Sequence, residues 1–157
     1  METELHMATA KRPQRVRELM LRDIVTASPE TSLGDAEALI RAAGLRHLVV
    51  VKDGIVVGLV SHRELLDRCL AVLRERVGPG GADNLSSITI ENLVRNEPVT
   101  ITPEASLEAA ASRMLALRIG CLPVAMPSPR GLRLVGLLTE ADLLRAAYLP
   151  ASPGSRG

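Results

Sequence analysis

The chain has 157 residues, of which 46% are apolar, 24% are charged and 1% are aromatic, and its net charge at pH 7 is +1. This composition is typical of one ordinary globular domain or two very small ones, and it excludes disordered and collagen-like chains. Tyr148 is the single aromatic residue, so the chain lacks both the stacking platforms and the positive charge of nucleic-acid-binding proteins. Nucleic acid is therefore not expected as its main partner.

The cysteine, histidine and hydropathy patterns argue against metal binding, disulfides and membrane insertion. Cys69 and Cys121 form no C-x-x-C motif, and the three histidines lack metal-ligand spacing. No apolar run reaches the roughly 18–20 residues that span a bilayer, and the polar N-terminus lacks the apolar core of a signal peptide. We expect a cytoplasmic protein that needs no metal or cofactor. Residues 1–6 resemble a cloning remnant, which makes Met7 the expected native start.

The chain repeats itself. When residues 16–36 are compared with residues 90–110, an offset of 74, eight of the 21 pairs are identical. Chance would give one or two, at residue frequencies of about 5–10% each. After a short insertion the match resumes at offset 78, where residues 58–66 correspond to residues 136–144. The sequence therefore predicts two copies of one structural unit.

Each copy begins with the same two predicted elements. A short β-branched run, near residues 24–26 and again near 99–102, predicts a strand. Ser32 and Ser106 then stand at helix N-cap positions, followed by apolar residues at helical spacing. Glycines are predicted to end these two helices, at Gly44 and Gly120.

A hairpin and a second helix complete each copy. Paired runs rich in Val and Leu are too short for helices and predict antiparallel strands: residues 47–51 with 55–60, and residues 121–126 with 132–138. A tight turn at Lys52-Asp53-Gly54 joins the first pair, and a longer loop, residues 127–131, joins the second. The second helix starts at Ser61 or Thr139.

The unit is thus β-α-β-β-α, and at about 55–60 residues it is too small to be stable alone, so the two copies should pack together. The predicted fold class is α/β, more specifically α+β. The predicted boundaries are an N-terminal tail 1–14, a first copy 15–73, a connector 74–89, a second copy 90–149 and a C-terminal tail 150–157.

Two short motifs recur at matching places in the two copies. The second copy contains Gly136-Leu-Leu-Thr-Glu-Ala-Asp142 and Cys121-Leu-Pro-Val124, and the first contains Gly58-Leu-Val-Ser-His-Arg-Glu64 and Leu48-Val-Val-Val51. This pattern resembles a tandem pair of cystathionine β-synthase (CBS) domains, known as a Bateman module, over about residues 15–149. The first copy departs from the family pattern at Glu64 and Val49, where the family has aspartate and proline. The resemblance implies two CBS repeats packed about a pseudo-twofold axis.

The same motifs suggest a nucleotide site on chemical grounds. Thr139 and Ser61 open helices whose free backbone N–H groups can hold a phosphate. Asp142 and Glu64, one turn later, can accept hydrogen bonds from a ribose diol. Gly58 and Gly136, which open the two motifs, would let the strand backbone approach a ligand closely.

The S/T-x-x-D/E spacing also has a purely structural interpretation. It forms a capping box, which ties down the start of a helix without binding anything. The two roles are compatible. Because Glu64 is one methylene longer than the family's aspartate, we expect Asp142→Ala to weaken nucleotide binding more than Glu64→Ala.

The resemblance implies two clefts between the copies. One would combine Thr139, Asp142, Gly120 and Cys121 with the backbone of residues 45–47. The other would combine Ser61, Glu64, Arg46 and His47 with the backbone of residues 119–121. Arg46, His47 and Arg63 are the candidate phosphate partners. Val25, Ile101 and Leu122 are the candidate contacts of an adenine.

The sequence therefore predicts a non-catalytic regulatory module for energy sensing. It would bind AMP, ADP, ATP or a related adenosyl ligand such as S-adenosylmethionine, and signal to an unidentified regulated protein by a conformational change. A homodimer is expected, because Leu65-Leu66 and Leu143-Leu144 offer apolar helix faces. The alternative is a scaffold whose clefts bind no ligand. An enzyme is not expected, since no residue set supplies a nucleophile, a base and an orienting partner.

Overall fold

The structure is a computed structural model, and it describes residues 12–75, 83–94 and 98–149. The elements of these ranges are, in chain order, α1 Val16–Leu19, β1 Thr26–Ala27, α2 Leu33–Ala43, β2 His47–Lys52, β3 Ile55–Ser61, α3 His62–Glu75, α4 Asp83–Ser87, a 3₁₀ turn Glu91–Leu93, α5 Leu107–Leu117, β4 Cys121–Ser128, β5 Gly131–Thr139 and α6 Glu140–Tyr148. This order confirms the predicted α+β fold with its internal repeat. Most of the predicted tails and residues 76–82 of the predicted connector lie outside the described residues.

The first copy forms as its local sequence signals predict. The Ser32 hydroxyl accepts a hydrogen bond of 3.0 Å from the Asp35 N–H, which caps α2. Gly44 ends α2 in the left-handed conformation, at φ 62°. Asp53 and Gly54, both with positive φ, form the tight turn between β2 and β3. The hairpin register therefore places His47 opposite Ser61 at its open end.

The first helix of the second copy ends two residues earlier than predicted. Helix α5 stops at Leu117, and Arg118, not Gly120, adopts the left-handed cap conformation, at φ 54°. The Arg118 N–H reaches the carbonyls of Met114 and Leu115, as the Gly44 N–H does for α2. The glycine signal was misleading because Gly120 lies two residues beyond the cap, next to the side chain of Glu140. The offset of 74 places Arg118, not Gly120, opposite Gly44.

The second hairpin is longer than predicted, and its loop is shorter. Strands β4 and β5 pair as far as Ser128 and Gly131, which leaves only Pro129 and Arg130 between them. The Ser128 hydroxyl donates to the Gly131 carbonyl at 2.7 Å and closes this turn. The prolines of β4 are tolerated because β4 is an outer strand of the sheet. The predicted strand near residues 99–102 is reduced to a single parallel bridge between Ile101 and Val124.

The two hairpins join into one sheet in the order β1-β2-β3-β5-β4. They meet where Ile55 of β3 pairs with Arg133 of β5. Between the copies lies a small apolar cluster that includes the buried residues Val49, Cys121 and Leu137. This arrangement relates the two copies by the predicted pseudo-twofold axis, and a cavity lies where they meet.

Each copy completes the hydrophobic core of the other. Val16 and Met20, in and after α1, are buried in the core of the second copy, and Leu21 exchanges two backbone hydrogen bonds with Leu137, at 2.8 and 2.9 Å. Ile90, the first residue of the second copy, is fully buried in the core of the first. The copies are therefore interlocked, and neither core is complete without a segment from the other side.

Gly136 is essential to this interlocking. A Cβ atom at Gly136 would lie 2.6 Å from the sulfur of Met20 and 3.1 Å from the carbonyl oxygen of Leu21. The space that we expected a ligand to approach at Gly136 is occupied by the chain itself.

Candidate functional site

The motif of the second copy forms a capping box at the start of α6. One oxygen of Asp142, Oδ2, accepts hydrogen bonds from the N–H and the hydroxyl of Thr139, at 2.9 and 2.7 Å, and the Asp142 N–H donates to the Thr139 hydroxyl at 3.3 Å. The other oxygen, Oδ1, lies 3.4 Å from the guanidinium of Arg145. Asp142 is buried, with 8% of its surface exposed. Its carboxylate therefore holds the helix start at Thr139, and the β4–β5 register places Cys121 opposite Thr139.

The motif of the first copy adopts the same geometry despite the longer side chain. The N–H and the hydroxyl of Ser61 donate to Oε2 of Glu64, at 3.1 and 2.8 Å, and the Glu64 N–H donates to the Ser61 hydroxyl at 3.1 Å. Both side chains are half-buried. The capping role considered from the sequence is thus present in both copies.

A cavity of about 360 Å³ lies between the two copies, beside the motif of the first. The first copy contributes His47, Leu59, Ser61 and Glu64 to its lining. The second copy contributes Val99, Leu117, Arg118 and Ile119. The structure therefore brings together three of the residues predicted for the Glu64 cleft, namely His47, Ser61 and Glu64, with side chains at the end of α5.

His47 is uncharged at neutral pH in this setting. Burial lowers its pKa below the ordinary 6.5, and the nearby positive charge of Arg46 acts in the same direction. The carboxylates of Glu64 and Glu140 oppose this shift without reversing it. The imidazole can therefore offer one N–H donor to a ligand in the cavity.

Two of the predicted phosphate partners lie elsewhere. The guanidinium of Arg46 is 3.5 Å from a carboxylate oxygen of Glu140, an ion pair that connects the two copies. Its side chain is 85% exposed, so this pair contributes little to stability. Arg63 lies exposed in the first turn of α3 and is not part of the cavity lining.

Gly120 and Cys121 lie beside the motif of the second copy, as the resemblance implies. The Gly120 carbonyl accepts the Glu140 N–H at 2.9 Å, and the Glu140 carboxyl carbon lies 3.3 Å from the position of a Gly120 Cβ. Cys121 is buried at the start of β4. Burial, assisted by the charge of Glu140, raises the pKa of its thiol to about 11. This thiol is therefore protonated and unreactive at neutral pH.

Comparison with known proteins agrees with this architecture. The sequence model of the CBS domain matches the chain twice, over residues 16–71 and 90–149. The chain belongs to the CBS domain family. The resemblance inferred from the two motifs is thereby confirmed, and the molecule is a CBS pair.

Two curated relatives illustrate the range of proteins that share this pair. A CBS domain-containing protein of Dictyostelium discoideum is 29% identical over 133 residues, which are 82% of this chain and 88% of that protein. Inosine-5′-monophosphate dehydrogenase of Korarchaeum cryptofilum is 29% identical over 142 residues, which are 90% of this chain but 26% of the enzyme. This CBS pair spans only 26–46% of the length of three of the curated relatives that it matches, including the Korarchaeum enzyme.

Among solved structures, CBSX2 in complex with AMP has the same fold. It superposes with a TM-score of 0.69 at 26% sequence identity, over 86% of this chain and 96% of the CBSX2 chain.

Sequence reasoning missed four side chains of the cavity lining, Leu59, Val99, Leu117 and Arg118. Arg118 could have been found, because the repeat offset aligns it with the helix-ending Gly44. In contrast, the predicted adenine contacts Ile101 and Leu122 are buried in the core of the second copy.

Neither a metal cluster nor a membrane helix is present in the described parts of the CBS pair. No three His, Cys, Asp or Glu side chains come together there in a way that could hold a metal ion. None of the helices described combines the length and apolarity that crossing a bilayer requires.

Proposed function

We propose that this CBS pair is a non-catalytic regulatory module that binds an adenosyl ligand, such as AMP, ADP, ATP or S-adenosylmethionine, in the clefts between its copies. The observation that carries the proposal is the cavity of about 360 Å³ lined by both copies, with Ser61, Glu64 and His47 at its polar side. Its volume lies within the range of small-molecule sites. The AMP complex of CBSX2, which shares the fold at 26% identity, supports the choice of ligand class.

The lining provides a suitable partner for each part of a nucleotide. The imidazole N–H of His47 and the positive N-terminal end of α3, a helix of 14 residues, suit a phosphate. The Glu64 carboxylate suits the hydroxyls of a ribose, and the aliphatic side chains of Leu59, Val99 and Ile119 provide an apolar surface for a base. Without an aromatic side chain to stack on the base, we expect micromolar rather than nanomolar affinity. Such affinity suits the sensing of a changing concentration.

Regulation would follow from the position of the cavity. A ligand that contacts residues of both copies stabilises one arrangement of the copies over another, to the extent that its affinities for the two arrangements differ. We propose that a homodimer transmits this change to a regulated protein. Exposed apolar side chains on α3 and α6 support a dimer through these helices: Leu66, Leu70 and Leu73 on α3, and Leu144 and Tyr148 on α6.

The second candidate function is a scaffold that binds no ligand. Two observations favour it. Glu64 and Asp142 already satisfy hydrogen bonds in capping boxes, and Asp142 is only 8% exposed.

Calorimetric titration of the full chain with AMP, ADP, ATP and S-adenosylmethionine separates the two candidates. A regulatory module should bind at least one of them with micromolar affinity and melt at a higher temperature in its presence. No heat and no melting shift up to millimolar ligand would favour the scaffold instead.

A matched pair of variants on α3 tests the site. Glu64→Gln keeps the side-chain volume but removes the charge that accepts the ribose hydroxyls, and should weaken binding in this cavity about 10- to 100-fold. Asp67→Asn makes the same kind of change at an exposed position of the same helix and should leave the affinity unchanged. Equal losses in the two variants would argue against Glu64 as a ligand contact.

A further inference from the structure

The two clefts that the CBS resemblance implies are related by the sequence repeat but differ in the side chains at corresponding positions. Their motif residues carry the same chemical groups, a hydroxyl at Ser61 and Thr139 and a carboxylate at Glu64 and Asp142. At offset 74, however, Arg118 in the cavity lining corresponds to Gly44, and His47 corresponds to Cys121. At these two positions the Glu64 cleft therefore has a guanidinium and an imidazole where the Asp142 cleft has a glycine and a thiol. The cation on the Asp142 side, Arg145, is paired with Asp142 at 3.4 Å.

A negative charge lies on the Asp142 side. Glu140 occupies the position that His62 holds in the first copy. Its carboxyl carbon lies 3.3 Å from the position of a Gly120 Cβ, and its charge adds to the burial that raises the pKa of the Cys121 thiol. The same charge also acts on His47. The ion pair with Arg46 neutralises Glu140 only weakly, because the two side chains are 85% and 56% exposed to water.

Arg118 is available to a ligand. None of the ion pairs between described residues involves it. A guanidinium can donate two parallel hydrogen bonds to a phosphate, which carries about 1.5 to 2 negative charges at pH 7. The Arg118 backbone is left-handed, at φ 54°, a conformation that is unfavourable for arginine. The local backbone therefore does not explain why an arginine stands at this position.

We propose that the two clefts sort adenosyl ligands by charge. Arg118, with His47, selects a phosphate-bearing ligand for the Glu64 cleft, whereas Glu140 disfavours the same ligand in the Asp142 cleft. A neutral adenosyl ligand has no charge on which this selection could act. The inference rests on the proposed function and specifies which ligand each cleft prefers. For AMP it predicts tighter binding in the Glu64 cleft, whereas the two carboxylates alone predict tighter binding in the Asp142 cleft.

The first test compares AMP with adenosine by calorimetric titration of the full chain. Arg118→Gly should raise the Kd for AMP about tenfold, the effect of losing one charge-assisted hydrogen bond, and change the Kd for adenosine far less. The variant should fold, because glycine suits the left-handed conformation better than arginine does. Arg113→Ala, which removes the same charge from an exposed site on α5 outside the lining, is the control and should bind AMP like the wild type.

The second test counts AMP sites. The wild type should bind one AMP per chain, and Glu140→Gln should add a second, because it removes the repulsion beside Asp142. An unchanged AMP affinity in Arg118→Gly, an equal loss for adenosine, or two equivalent AMP sites in the wild type would overturn the inference while leaving the proposed function intact. Absence of binding of both AMP and adenosine to the wild type would refute the proposed function, and the inference with it.

Discussion

Single side chains decide the chemistry of the two clefts. Cys121 and His47 hold equivalent positions at the starts of β4 and β2, yet their environments act on them differently. Burial lowers the pKa of the imidazole and raises that of the thiol, because it disfavours the charged form in each case. Both groups are therefore neutral at pH 7, which leaves Arg118 as the permanent cation of the cavity lining.

The thiol of Cys121 should make the protein sensitive to alkaline pH. The unfolded thiol ionises near pH 9.0, whereas the folded one ionises near pH 11, so the folded state retains a proton that the unfolded state has lost. The stabilisation from this group is complete below pH 9.0 and disappears as the pH rises to about 11. The free energy of unfolding should fall by roughly 3 kcal/mol over this range, at about 1.4 kcal/mol for each pH unit between the two pKa values.

Urea unfolding at several pH values between 8 and 11 measures this loss. Cys121→Ala removes the titrating group. Its free energy of unfolding should therefore fall less steeply with rising pH than that of the wild type, whatever its stability at pH 8. Parallel curves for the two proteins would mean that the thiol is not buried as described.

At the scale of elements, the contact between β5 and the segment after α1 requires a residue without a side chain. Met20 and Leu21 pass so close to Gly136 that any Cβ there would collide with them. The contact binds the start of the chain to the core of the second copy, so its loss should loosen the interlocking of the two copies.

Gly136→Ala should lower the free energy of unfolding by about 1–3 kcal/mol, the usual cost of overpacking a core. Gly34→Ala is the matched control. A Cβ at Gly34 in α2 makes only ordinary contacts of 3.7 Å or more with Leu85, and alanine favours a helix by about 0.5–1 kcal/mol over glycine. Chemical denaturation should therefore move the two variants in opposite directions. A stable Gly136→Ala variant would show that Met20 does not pack there.

At the scale of the whole molecule, interlocking leaves α3 and α6 with apolar side chains that neither core covers. Leu65 is fully buried in the first core, while its neighbour Leu66 is 40% exposed, and Leu144 is 58% exposed. The outer faces of these helices are the surfaces through which we expect two CBS pairs to associate.

Introducing charge on these faces tests the dimer. The double variant Leu66→Glu and Leu144→Glu should weaken dimerisation by at least about 100-fold, since an unpaired charge would be buried in the interface. Leu115→Glu, on α5 at 80% exposure, should leave the dimer intact. Light scattering after size-exclusion chromatography gives the mass directly. A monomeric wild type, or a monomeric Leu115→Glu variant alone, would contradict dimerisation through α3 and α6.

Most of the fold could be predicted from local signals. Ser32, Gly44 and the Asp53-Gly54 turn act on their immediate neighbours, so the sequence alone places them correctly. Gly120 was misassigned as a helix end, because a glycine that accommodates a distant side chain looks the same in sequence as one that ends a helix. Within the candidate site, His47, Ser61 and Glu64 were predicted together, whereas Arg118 and Val99 reach the cavity from the other copy.

The sequence by itself determined that this protein is a repeated β-α-β-β-α unit of the CBS family, because repeats, caps and strand patterns are properties of neighbouring residues. Only the tertiary structure decided which side chains line the cavity beside Ser61, that Arg118 is among them, and that Arg46 pairs with Glu140 instead. These features depend on which side chains of one copy face those of the other. No local pattern specifies that, because it arises from packing across the pseudo-twofold axis.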